Sequence, residues 1–174
     1  MTWAAYLDAE QNRFVQELLE FIRIPSVSAL PDHATDVDRA AHWVADRLTR
    51  AGIEGAAVLP TEGHPVVCGH WLHAGADKPT VLIYGHFDVQ PAEPYDLWTT
   101  PPFDPQIRDG RIWGRGASDD KGGMLIPILT VEAMLKTAGK LPVNVKFFFE
   151  GQEEIGSPDL PPFVRDNAAL LQAD

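Results

Sequence analysis

The chain has 174 residues, of which 45% are hydrophobic and 22% are charged, and its formal net charge is −11. This length suffices for one domain with a hydrophobic core, and the composition is typical of a globular protein. The negative charge argues against a surface for nucleic acid or for an anionic membrane.

Compartment is indicated by the single cysteine, Cys68, within PVVCGHW. One cysteine cannot form an internal disulfide, which fits a reducing compartment. The apolar run around Cys68 predicts a buried, inert thiol rather than a nucleophile. No segment has the length of a membrane helix, and the N-terminus lacks the basic start and apolar stretch of a signal peptide. We therefore predict a cytoplasmic protein without a membrane partner.

The first half of the chain predicts two helices followed by three strands. Residues 8–23 space their apolar side chains as one helical face, and Pro25 predicts the end of that helix. Residues 35–52 form a second amphipathic pattern with Gly52 as its C-cap. Short β-rich runs then lie at 55–59, 65–71 and 80–85. The last of these, TVLIYG, is almost entirely apolar, which predicts a central strand covered on both faces.

The second half begins with a proline-rich segment, residues 90–105, which predicts a long and functional loop. IRDGRIWG (107–114) predicts a hairpin with its turn at Asp109-Gly110. A buried helix is expected over 124–135, a central strand over 143–151 and a helix opened by proline over 161–172. Because strands alternate with helices, we expect an α/β fold with a mixed central sheet and helices on both of its faces.

Three polar clusters follow three of these predicted elements. His86 and Asp88 come after TVLIYG, Asp119 follows the hairpin and a glycine-rich turn, and the pair Glu153-Glu154 follows VNVKFFF. Ligands of open α/β sheets gather at the carboxyl ends of the strands, so residues distant in sequence can meet there. We therefore expect the three clusters to form one site.

The residue types in these clusters suit a divalent metal such as Zn²⁺, which takes imidazole and carboxylate ligands. Asp88 is placed to accept a hydrogen bond from the imidazole of His86, a contact that fixes the tautomer of a metal ligand. The adjacent carboxylates of Glu153 and Glu154 can divide two tasks, since one can bind metal while the other moves protons.

Each cluster also has a simpler interpretation. The His-x-Asp pair alone is more often a solvated pair or a structural hydrogen bond. Asp119-Asp120 alone is better explained as the N-cap and acidic first turn of a helix, and Glu153-Glu154 can be an exposed turn. Their joint occurrence at the ends of three elements favours the metal site.

Other sites are disfavoured. GRGASD carries Asp119 where a dinucleotide-binding loop has its last glycine, and Ser118 is outside a GxSxG elbow. The arginines at 108, 111 and 115 are better explained as surface charge than as substrate ligands. The remaining histidines are not expected to be ligands, and these are His33, His42, His64, His70 and His73.

The sequence resembles the M20 family of metallopeptidases at YGHFDVQPAEPYDLWTTPPFDP, DGRIWGRGASDDKGG and FFFEGQEEIGS. The residues of these motifs are most similar to those of the dipeptidase branch, which includes carnosinases and cytosolic nonspecific dipeptidases. The match runs through most of the chain from about residue 12 onward, and the three motifs together are highly specific.

The resemblance implies a role for each residue of the three clusters. His86 and Glu154 are implied as metal ligands, and Asp119 as the bridge between two zinc ions. Asp88 is implied to orient His86, and Glu153 to be the general base of the reaction. The peptide bond from Asp119 to Asp120 is implied to be cis.

The resemblance further implies hydrolysis of a peptide bond in dipeptides or small peptides. Zinc is the default metal, with two ions per complete catalytic domain, although manganese or cobalt could use the same ligands. The family's later metal ligands and its lid or dimerisation domain are not found in these 174 residues. We therefore expect the N-terminal part of a catalytic domain, truncated after LLQAD and inactive alone, from a protein that is a homodimer when complete. Two alternatives stay open: hydrolysis of acyl-amino acids or related amides, and a metal-binding fragment without catalysis.

Overall fold

The computed structural model describes residues 1–174 as two β-sheets and five α-helices. The helices are α1 (Trp3–Ile22), α2 (Ala34–Ala51), α3 (Lys121–Ala138), α4 (Leu160–Asp166) and α5 (Ala168–Leu171). The strands are β1 (Glu54–Leu59), β2 (Val66–Trp71), β3 (Thr80–His86), β4 (Gln106–Arg108), β5 (Arg111–Trp113) and β6 (Asn144–Glu150). Short 3₁₀ helices lie at Pro31–His33, Tyr95–Leu97 and Glu153–Ile155.

The main sheet has four strands in the order β1-β2-β6-β3. β6 pairs antiparallel with β2 and parallel with β3, so the sheet is mixed. Phe147 and Phe149 of β6 point into the core beneath α2 and α3. Phe148 points the other way, against Phe163 of α4 and Leu171 of α5. This alternation buries both faces of β6, and it confirms the predicted α/β fold with helices on both faces of a mixed sheet.

The prediction that 80–85 forms a central strand is wrong, because β3 lies at the edge of the sheet and pairs only with β6. Val81 and Tyr84 are respectively 44% and 50% exposed. Side chains of β3, of α3 and of the segment before β6 line an open apolar groove of about 350 Å³. An apolar strand sequence reports which side chains can be covered, and carries no information about hydrogen-bonded neighbours.

Most predicted element ends agree with the structure. α1 ends at Ile22, and Gly52 adopts a φ of 94° as the C-cap of α2. The hairpin turn has a φ of 51° at Asp109 and 71° at Gly110, as a type I′ turn requires. The helix expected over 161–172 is instead broken at Asn167. Its side-chain amide donates to the carbonyl of Phe163 at 2.9 Å, which competes with the continuing helix.

A buried group of charges joins the three long helices. Arg47 of α2 is 0% exposed and donates to Glu17 of α1 at 2.8 Å and to Glu132 of α3. Arg13 and Tyr6 of α1 also donate to Glu132. Burial by itself raises the pKa of Glu132, but the hydrogen bonds from Tyr6 and Arg13 and the charge of Arg47 outweigh it and lower that pKa below 4.5.

We expect Arg47→Ala to lower the free energy of unfolding by about 3–5 kcal/mol, because it removes the fully buried guanidinium that pairs with both carboxylates. Arg50→Ala is the matched control, since Arg50 is exposed and lies 3.4 Å from Glu17. Chemical denaturation measures both. A loss of stability in Arg47→Ala no larger than that of the control would contradict the stabilising role of Arg47.

The same denaturation series has an expected pH dependence. Because the pKa of Glu132 is lowered in the folded state, its contribution is fully present above about pH 4.5 and is lost as the pH falls through the folded pKa. The difference between the native protein and Arg47→Ala should therefore shrink in acid.

Candidate metal centre

Parallel pairing brings the predicted site residues to one edge of the sheet. In the register of β3 and β6, His86 lies opposite Glu150, so both strands end at the same level. The chain then turns through Gly151 and Gln152 into the 3₁₀ helix that carries Glu153 and Glu154. The expectation that His86, Asp119 and the glutamate pair meet at strand ends is met in the structure.

The imidazole of His86 has a fixed orientation. Its Nδ1 lies 3.1 Å from the carbonyl oxygen of Asp88, and because a carbonyl only accepts, Nδ1 must donate. Nε2 then faces Asp119 Oδ1 at 3.0 Å and Glu153 Oε2 at 3.8 Å. A neutral ring would direct a lone pair at these carboxylates. The arrangement therefore favours a positive charge at Nε2, carried by either a second proton or a metal cation.

The pKa of His86 reports the same preference. Burial lowers it, but the hydrogen bond to Asp88 and the negative charges of Asp88 and Glu153 raise it to about 9. Carboxylates that stabilise an imidazolium also stabilise a divalent cation in the same place.

The most compact group of ligand atoms comes from His86, Glu153 and Glu154, which lie within 4.8 Å of one another. Glu154 is also held by Gln90, whose Nε2 donates to its Oε2 at 2.8 Å and to its carbonyl at 3.0 Å. Asp119 contacts this group at Nε2 of His86, and its side chain is 77% exposed. The division of roles among Asp119, Glu153 and Glu154 stays a prediction.

Asp88 makes more contacts than its predicted pairing with His86. The residue is 0% exposed, and its carboxylate accepts the backbone N–H groups of Glu153 and Glu154, each at 3.1 Å. It also accepts the hydroxyl of Ser28 at 2.6 Å. The carboxylate therefore fixes the turn that carries both glutamates. Sequence reasoning missed Ser28 and Gln90, since neither stands in a spacing that signals a distant partner.

The turn before α3 is filled by Asp120. The peptide bond between Asp119 and Asp120 is cis, as the resemblance implied. Asp120 Oδ2 accepts the backbone N–H of His86 at 3.3 Å, and a Cβ atom at Gly85 would lie 2.7 Å from that oxygen. Asp120 stands at the N-cap of α3 without a side-chain capping bond. Its carboxylate thus shapes the site rather than capping the helix.

The start of α3 is anchored by Lys121, which is fully buried. Its Nζ donates to the carbonyls of Phe21 at 3.0 Å and Ile24 at 2.6 Å, at the end of α1. Burial lowers the pKa of Lys121 to about 7. The turn that presents Asp119 is therefore tied to the helical layer.

Two smaller predictions meet different outcomes. Cys68 is buried, which confirms the predicted burial, and burial raises the pKa of its thiol to about 11, as expected of a weak nucleophile. Arg115 is only partly exposed. It donates to the carbonyl of Pro91 at 3.0 Å and lies over the ring of Trp98 at 5.5 Å. Arg115 therefore anchors the proline-rich loop, a contact that its prediction as surface charge did not include.

A mixed sheet with helices on both faces, and a histidine and carboxylates gathered at its strand ends, places the chain among α/β proteins with a candidate metal centre. Residues 82–172, more than half of the chain, match the model of peptidase family M20/M25/M40. The chain belongs to this family of metallopeptidases.

Relatives of established identity support this assignment. The chain is 39% identical over 170 residues to the human Beta-Ala-His dipeptidase, covering 91% of this chain and 34% of that protein. It is 38% identical over 176 residues to a Cys-Gly metallodipeptidase of Schizosaccharomyces pombe, covering 93% and 36%. The crystal structure of human carnosine dipeptidase 1 matches with a TM-score of 0.85 and 35% identity, over 97% of this chain and 38% of that one. The chain spans about a third of the length of these relatives. None of its helices is long and apolar enough to cross a bilayer.

We expect Asp88→Asn to lower the pKa of His86 from about 9 toward 6.5, because it removes the negative charge beside Nδ1. The measurement is an NMR titration of the imidazole protons in metal-free protein. Glu54→Gln is the control, since Glu54 pairs with His73 at 2.9 Å and should leave His86 unchanged. An unaltered His86 titration in Asp88→Asn would contradict this account of the site's electrostatics.

Proposed function

We propose that the complete protein is a metal-dependent dipeptidase, which hydrolyses the peptide bond of dipeptides or small peptides. The observation that carries the proposal is the orientation of His86, whose Nε2 is directed at the carboxylates of Asp119 and Glu153 with Glu154 close by. The dipeptidase names of its relatives support the substrate class.

The side chains at the site fit a divalent metal. They offer one imidazole nitrogen and carboxylate oxygens, a set that suits zinc and also admits manganese or cobalt. His86, Asp119 and Glu154 would hold the metal, with two zinc ions per complete catalytic domain and Asp119 as their shared ligand. A bound divalent metal polarises a substrate carbonyl and makes water a stronger acid.

Glu153 is the proposed general base. Its backbone N–H is held by the buried Asp88, whereas its side chain is 44% exposed and so can reach both solvent and substrate. A carboxylate in this position can take a proton from the attacking water and pass it to the leaving amine. Asp88 holds the tautomer of His86 through its carbonyl and keeps the glutamate turn in place.

The remaining proposals concern the whole protein. Residues 1–174 would form the N-terminal part of the catalytic domain, and the lid or dimerisation domain and the C-terminal catalytic segment would lie outside them. The complete protein would be a cytoplasmic homodimer. Hydrolysis of acyl-amino acids, or metal binding without catalysis, is not favoured by relatives that are named dipeptidases.

The test compares Glu153→Ala and Glu154→Ala with wild type in the full-length gene product, using metal content and a panel of dipeptides. Glu153→Ala should retain metal and lose about 10²–10⁴-fold in kcat, because it removes the proton acceptor. Glu154→Ala should lose metal as well as activity, because it removes a ligand.

Two results would contradict the proposal. A wild-type protein that binds no divalent metal and cleaves no dipeptide would contradict the proposed dipeptidase activity. Full activity in Glu153→Ala would instead remove only the role of this residue as the base.

A further inference from the structure

A third segment of the chain, which carries Ser28, contacts the candidate metal centre at the carboxylate of Asp88. We propose that Ser28 is a positioning residue of this centre, which acts through Asp88 on His86 and the glutamate turn. The inference rests on the proposed metal site. Ser28 is 6% exposed, and its Oγ donates to Asp88 Oδ2 at 2.6 Å. A short bond from a hydroxyl to a buried carboxylate is a strong, charge-assisted hydrogen bond.

The backbone of Ser28 is itself held from two sides. Val27 forms a parallel bridge with Val89, and the N–H of Val89 donates to the carbonyl of Ser26 at 2.9 Å. On the other side, Nε2 of His64 lies 3.0 Å from the carbonyl of Ser28 and donates to it. Ser28 is therefore presented to Asp88 by fixed backbone rather than by a mobile loop.

The hydroxyl of Ser28 completes the set of donors around Asp88. Oδ2 takes the hydroxyl together with the N–H of Glu154, while Oδ1 takes the N–H of Glu153 and lies 3.4 Å from Nδ1 of His86. Without the hydroxyl, Oδ2 keeps one donor at a position with no exposure to solvent. The carboxylate can then rotate, and every group that it holds belongs to the metal site. Groups that orient metal ligands in this way change metal affinity by about 10–100-fold when they are removed.

Ser26 provides a matched control in the same segment. It is also buried, and its hydroxyl donates at 2.6 Å, but the acceptor is the carbonyl of Phe87 rather than the Asp88 carboxylate. Ser28→Ala and Ser26→Ala therefore remove hydrogen bonds of equal length from neighbouring positions. Only the first touches Asp88.

The experiment measures the Zn²⁺ dissociation constant of the full-length protein by competition with a chromophoric chelator, and the visible absorption spectrum of its Co²⁺ form. Ser28→Ala should weaken Zn²⁺ binding about 10-fold and alter the Co²⁺ spectrum, because the ligands lose their fixed geometry. Ser26→Ala should leave both unchanged even where it lowers the melting temperature.

A second pair of variants tests the same point with side chains of equal size. Ser28→Thr keeps the hydroxyl and should bind Zn²⁺ like the wild type or close to it. Ser28→Val has the same shape without the donor and should show the 10-fold loss. This pair decides the question if Ser28→Ala does not fold.

The outcomes separate the inference from the function on which it rests. Wild-type affinity in Ser28→Ala or Ser28→Val, or an equal loss in Ser26→Ala, would overturn the positioning role alone. A wild-type protein without Zn²⁺ affinity would overturn the metal site as well, and that result is visible before any variant is made.

Discussion

The parallel pairing of β3 with β6 is the constraint on which the site depends. It sets His86 opposite Glu150, so both strands end at the same edge of the sheet. A register shift of two residues would displace His86 by about 7 Å along the strand and separate it from the glutamate turn. A shift of one residue is opposed by β6, because it would exchange the core that holds Phe147 and Phe149 with the core that holds Phe148. The hydrophobic layers therefore determine where the polar chemistry can form.

The buried carboxylate of Asp88 converts this rough placement into a fixed geometry. A carboxylate removed from water is stable only with several donors, and Asp88 receives a hydroxyl and two backbone N–H groups. Two of these donors belong to the turn that carries Glu153 and Glu154, so satisfying one buried charge also orients that turn. The carbonyl of the same residue sets the tautomer of His86. One residue thus links stability to the arrangement of the ligand atoms.

Local patterns predict the parts of this structure that depend on neighbouring residues. Helical spacing, Gly52 and Asp109-Gly110 indicated elements and turns correctly, because caps and turns are decided within a few positions of the chain. The three polar clusters were predictable because strand ends in α/β sheets converge. Strand order was not, and β3 lies at an edge despite its apolar sequence. Contacts such as that of Ser28 with Asp88 span 60 residues, and a serine carries no signal of such a partner. Arg47 was equally unpredictable, since charged residues on amphipathic helices are usually exposed.

The balance of charge separates the candidate metal centre from the ion pairs that only hold the fold. Between the helices, the buried carboxylates of Glu17 and Glu132 are matched by the guanidinium groups of Arg13 and Arg47. At the sheet edge the carboxylates of Asp88, Asp119, Glu153 and Glu154 surround one imidazole, and the short contacts there hold no arginine or lysine. Bringing like charges together without cations costs free energy, and a structural network would gain nothing from it. Carboxylates gathered around a histidine of fixed tautomer, without arginine or lysine in contact, suit a divalent cation of the kind that the proposed metallopeptidase activity requires.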